Sequence, residues 1–222
     1  MPVKPAIVRP TSRPRLLLTA LWLSTLAGCA DPLAQPDAPK AALPLFAGLG
    51  THRYPISTSI QDTQRYFDQG LILAYGFNHP EAARSFREAY RLDPDCALCY
   101  WGEALVLGPN INAPMAPGDL PIAYHAIQKA QALAKKATEK ERALIAALVQ
   151  RYSQSATADR QSLDEAYAKA MRGVAARFPG DADIAALFAE ALMDLHPWNF
   201  WTNRARLNRG RRKSWRRWNM LL

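Results

Sequence analysis

Between Thr63 and Cys96 large and small apolar residues recur at helical spacing, and this pattern restricts the fold more than any other feature of the chain. Tyr66, Gly70 and Leu73 fall on one face of a first helix, and Asn78-His79-Pro80 supplies a turn. Ala82, Phe86 and Ala89 then recur along a second helix, which Asp93-Pro94-Asp95 stops because proline cannot continue it. Gly70 and Ala82 are small enough to let two antiparallel helices approach closely, while Tyr66 and Phe86 fill the remaining space. The expected unit is a helical hairpin with an apolar stripe that needs a neighbour to cover it.

An aromatic, then Gly, Leu, Ala, Phe, Ala and a closing proline at Tyr66, Gly70, Leu73, Ala82, Phe86, Ala89 and Pro94 resembles a tetratricopeptide repeat. The resemblance implies an all-α fold of stacked hairpins, a short α-solenoid, with a groove that binds peptide segments of a protein partner and no chemistry of its own. Asn78, Arg84 and Arg87 are polar positions on this hairpin that such a partner could meet. A second copy starts at Ala97, with Tyr100, Ala104 and Leu107 at corresponding offsets, and is interrupted by the Pro- and Asn-rich loop 108–118. That loop, holding Asn110, Asn112 and Met115, reads as a rigid connector or as a rim contact for a partner. Further helices are expected at 120–136, from Thr138 with Glu141 as a capping box, from Ser162 with Glu165 as another, and over 184–195 after Phe178-Pro179-Gly180-Asp181.

The first 28 residues belong to a different design. Lys4, Arg9, Arg13 and Arg15 precede an apolar run from Leu16 to Thr25, which is too short for a membrane span and reads as a signal peptide. Leu26-Ala27-Gly28-Cys29 resembles a lipobox, which implies cleavage before Cys29 and lipidation of its sulfur. Residues 29–49, with Pro32, Pro36, Pro39 and Pro44, read as a semi-extended tether to a helical domain over 50–202. The expected location is the bacterial envelope, lipid-anchored at the outer membrane and facing the periplasm.

A net charge of +9 would point to nucleic acid if it were spread over the domain. It is not. Four of the basic residues lie in the leader and eight in 203–222, and neither stretch holds an acid, so the body is mildly acidic and no nucleic-acid partner is expected. The change of composition at Asn203 has its own explanation. Codons compatible with Asn208 to Leu222, read one base earlier, encode Pro-Gly-Thr-Pro-Glu-Ile-Met-Ala-Ala-Leu-Glu-His-Ala-Ala, a loop and an acidic, Ala-rich helix start. The tail 203–222 is therefore expected to be a frame-slip product, leaving an apolar edge around Leu187, Leu192 and Trp198.

Cys96-Ala97-Leu98-Cys99 is the one motif with potential reactivity, because a helix N-terminus lowers a thiol pKa. It reads as a short-loop disulfide, as packed thiols, or as a redox or metal site, the last needing ligands that only His52, His79 and Met115 could add nearby. His125 and His196 have no partner in sequence, and Glu81, Glu88, Glu139 and Glu141 read as solvated helix faces and caps. With no nucleophile-base order and no phosphate loop, no catalytic residue, cofactor or small-molecule substrate is expected.

Overall fold

The computed structural model describes residues 43–155 and 157–198. Cys29, the leader, the tether up to residue 42 and the tail 199–222 lie outside the described residues. Among those described the chain is all-helical: α1 Gln61–Tyr75, α2 His79–Leu92, α3 Ala97–Leu107, α4 Asp119–Leu133, α5 Glu139–Val149, α6 Arg160–Arg177 and α7 Ala182–Asp194, with a 3-10 turn Ala134–Lys136 after α4. An isolated bridge between Asn110 and Ala113 is the nearest approach to β-structure. Each helix packs on the next, and in addition α1 meets α3 and α3 meets α5.

The first hairpin forms for the reason its spacing predicts. Ala82, Phe86 and Ala89 are fully buried, and Tyr66 and Leu73 are nearly so. A Cβ on Gly70 would lie 2.8 Å from the Phe86 ring, so glycine is what lets α1 meet that ring. The turn falls one step earlier than Asn78-His79-Pro80. Phe77 takes a left-handed φ of 58° after Gly76, the Asn78 N–H returns to the Leu73 carbonyl, and α2 already starts at His79. Proline close behind a helix start needs no N–H partner, so Pro80 begins α2 rather than breaking α1. Pro94 is exposed in the turn that separates α2 from α3.

α3 departs from a simple second copy. Its aromatic core residue is Trp101, 2% exposed, while Tyr100 is half-buried and stacks on Tyr90 with centroids 4.2 Å apart. α3 lies among α1, α2, α4 and α5, so it is buried on nearly every side and a one-sided repeat stripe does not describe it. Gly102 sits under the other side of Phe86, where a Cβ would come within 2.5 Å of the ring.

Helix ends follow short polar residues. Thr138 and Glu141 form the expected capping box on α5. α6 starts earlier than expected. Its cap is Asp159, whose carboxylate accepts from the Ser162 N–H, so Ser162 lies inside the first turn and Glu165 closes no box. Asp159 has the extended backbone a cap needs, whereas Ser162 is already helical. Asp181 caps α7 in the same way. Leu187 is 3% exposed and Leu192 packs against the core, so of the three residues expected at an open edge Trp198 alone is exposed, at 74%. The uncovered apolar surface lies instead between the α6 end and α7, a groove of about 410 Å³ touching Ala175, Phe178, Ala182, Ala185 and Ala189.

The compact helical unit begins at Ala42, so residues 43–49, expected as tether, belong to it. Leu43 is buried, and Leu45 and Leu49 pack on the core.

Candidate functional site

The segment before α1 is a strap laid across several helices by polar side chains that the core would otherwise leave buried and unpaired. Tyr66 on α1 donates its hydroxyl to the Leu43 carbonyl. Gln69, 4% exposed, accepts from the Phe46 N–H at 2.7 Å and donates to the Pro44 carbonyl at 3.2 Å. Further along, the Tyr54 N–H donates to Asp68 at 3.0 Å, Gln64 donates to the Tyr54 carbonyl at 2.8 Å, and the Ile56 N–H donates to Gln64 at 3.1 Å. Glu141, 1% exposed on α5, accepts from both the N–H and the hydroxyl of Ser57. Thr58 donates to Asp93 at 2.6 Å, past the end of α2. Residues 52–56 carry no helix, turn or bend, a tight turn from Ile56 to Thr58 follows, and the stretch is held mainly through its backbone.

One side chain of this stretch is sunk into the protein. The Tyr54 ring lies 6.2 Å from that of Phe67 and carries the Lys140 ammonium 4.5 Å from its centroid. Its hydroxyl is buried without a hydrogen-bond partner. Burial, followed by the charges of Asp181, Asp183 and Glu141, pushes the phenol pKa far up. His52, expected as a surface residue, reaches Asp183 at 3.0 Å, and Tyr75 donates to the same carboxylate oxygen at 2.7 Å. The strap therefore touches α1, α5 and α7.

A second polar cluster ties the later helices together. Arg151, 2% exposed, donates to Asp164 at 3.1 Å, to Asp194 at 2.6 Å and to the Pro109 carbonyl at 2.9 Å. Its guanidinium also lies 4.8 Å from the Tyr167 centroid. Next to it a cavity of about 20 Å³, room for a water molecule, is lined by Tyr75, His79, Pro109, Arg151 and Glu190 among others. Burial, then the neighbouring Asp194 charge, pushes Glu190 up to about 7 against the pull of Arg151. Burial also raises Asp194 and lowers His79. Loop 108–118 is fixed to this region by Pro109 and by a 3.2 Å contact between Asn110 and His79. Asn110 also accepts from the N–H groups of Asn112 and Ala113, which makes the loop self-supporting.

Cys96 and Cys99 are joined in a disulfide, 1% and 0% exposed. The Cys96 sulfur also accepts from the Cys99 N–H as the cap of α3. Among the described residues no group of three or more His, Cys, Asp or Glu is placed to hold a metal ion.

The polar residues expected to meet a partner are not brought together with the strap. Asn78 is exposed at the start of α2, Arg84 is exposed and pairs with Glu81, and Arg87 pairs at 2.6 Å with the buried Glu103. His125 is exposed on α4, His196 lies just past α7, and Met115 packs partly against the core. Glu88 pairs with Arg91 and Glu139 with Arg177, whereas Glu141 is a buried anchor rather than a solvated cap. The residues that meet this segment without having been singled out in sequence are Gln64, Asp68, Gln69 and Lys140, whereas Glu141 was read there only as a cap. Gln64 and Asp68 lie four apart on one face of α1, a pairing visible in sequence, yet nothing local shows that they turn toward another segment. Comparison with protein-family models, with curated protein sequences and with solved structures finds no match to this chain.

Proposed function

We propose that this protein is a lipid-tethered helical-repeat scaffold of the bacterial envelope that holds an extended segment of a protein partner. The observation that carries the reading is the packing of α3 on both α1 and α5 in addition to the sequential helix pairs, a next-but-one contact that successive hairpins make when they stack. The Tyr66-to-Pro94 spacing supports the same plan. The leader and Leu26-Ala27-Gly28-Cys29 support export and a lipid anchor, and no described helix is long and apolar enough to cross a membrane.

A redox or metal-handling role for Cys96 and Cys99 is the competing reading, and burial of both sulfurs under α3 weighs against it. Crosslinking in intact cells followed by purification of the tagged, membrane-bound protein tests the two. The scaffold reading expects a defined protein partner that is retained by the Cys96→Ser/Cys99→Ser double variant. Bound metal or thiol-exchange activity lost in that variant, with no partner captured, would overturn it. The anchor is tested separately: labelled palmitate should enter the wild type and not Cys29→Ala.

A further inference from the structure

We infer that residues 51–58 are a built-in occupant of the peptide groove, and that a partner segment of like chemistry takes their place. That segment is extended and carries an aromatic residue, a proline, an aliphatic residue and a small hydroxyl residue in succession. The inference deepens the scaffold reading and rests on it.

Three observations support displacement rather than permanent docking. First, Gln64, Asp68 and Glu141 engage the strap chiefly through backbone N–H and C=O groups, so any extended peptide can reproduce those bonds. Glu141 and Gln64 are buried, so once the strap leaves a competitor must satisfy them. Second, the strap is an imperfect ligand. The Tyr54 hydroxyl is buried with no partner, and a phenylalanine would fill the same site between Phe67 and Lys140 without that cost. Third, the segment lies wholly outside the helices. Gly48 and Gly50, at φ 84° and 88° with open space around them, precede it, and α1 starts only at Gln61. The contacts of Leu43, Pro44 and Phe46 with Tyr66 and Gln69 keep the lead-in attached while 51–58 lift away.

The specificity of the groove follows from what the strap buries. Tyr54 is 3% exposed, while Thr51, Arg53 and Pro55 are exposed and His52 reaches only the surface pair with Asp183. The aromatic position therefore selects the partner, and Ser57 sets the register through its two bonds to Glu141.

The test uses the full chain and a labelled peptide of residues 50–60 carrying Y54F. Fluorescence anisotropy should give at least tenfold tighter binding to Tyr54→Ala than to wild type, because that variant vacates the aromatic site. Ser57→Ala, which removes one of the two bonds to Glu141 and leaves the core untouched, should bind severalfold tighter than wild type. It carries the test if Tyr54→Ala loses helicity. In wild type, saturating peptide should remove hydrogen-exchange protection from the Tyr54, Ile56 and Ser57 amides. Equal binding to wild type and variants, or amides that stay protected with peptide bound, overturns strap occupancy and leaves peptide binding standing. Binding to none of the three overturns both.

Discussion

Where α2 crosses α1 and α3, one phenylalanine ring lies between two glycines. Where α5 gives way to α6 and α7, one buried guanidinium is shared by two aspartates. The first contact is apolar and steric, and its residues sit at helical spacing. The second is ionic and depends on charges brought together from 13 and 43 residues away. A steric contact fails when volume is added or removed. An ionic one fails when a single partner is removed, because the charge left behind stays buried.

The largest expected effect is at the ionic end. Arg151→Ala leaves Asp164 and Asp194 without their cation and should cost about 3–5 kcal/mol in urea denaturation. Replacing all three residues with apolar ones of similar volume should recover most of that loss. Equal losses in the single and triple variants would show that the cluster stabilises by attraction instead of merely avoiding an unpaired charge.

Next comes pH. Glu190 has its folded pKa raised to about 7 from 4.5, so the native state binds its proton more tightly than the unfolded chain does. Its contribution is fully present below about pH 4.5 and is lost as the pH rises through 7, a decline of about 3 kcal/mol. Glu190→Gln should flatten the stability profile over that window, measured as urea midpoints from pH 4 to 8. An unchanged slope would place the titration elsewhere.

The apolar end is sharpened by two glycines. Gly102→Ala drives a methyl into the Phe86 ring and should cost about 1–3 kcal/mol, outweighing the gain in helix propensity. Gly173→Ala, on α6 with nothing within 4 Å, should instead stabilise by about 0.5–1 kcal/mol. If both variants move the same way in thermal melts, propensity governs and the close approach does not.

A comparably small effect is expected at the strap. Tyr54→Phe removes an unpartnered buried hydroxyl and should raise stability by about 1 kcal/mol. A loss of stability would reveal a partner for that hydroxyl, and with it a better-fitted strap.

Legibility followed the same division. The first hairpin could be read because its signal is local and periodic: Tyr66, Gly70, Ala82 and Phe86 announce a close crossing without reference to distant residues. The cap of α6 was misplaced because Asp159 and Ser162 are both good capping residues, and only backbone geometry decides between them. Trp101 was missed because the repeat offset pointed to Tyr100, while burial from several sides at once is set by neighbours. Arg151 gave no signal in sequence because its partners Asp164 and Asp194 are remote along the chain. Glu141 was legible only as a cap, and Gln64 and Asp68 not at all, for the same reason.

Amino-acid order alone determined the all-helical class, the first hairpin and most helix ends, because periodicity, caps and proline stops act over a few residues. Only the tertiary structure decided that the segment before α1 folds back over α1, α5 and α7, and that one arginine holds the last three helices. Those contacts depend on desolvation, which is felt only once distant parts of the chain have excluded water together.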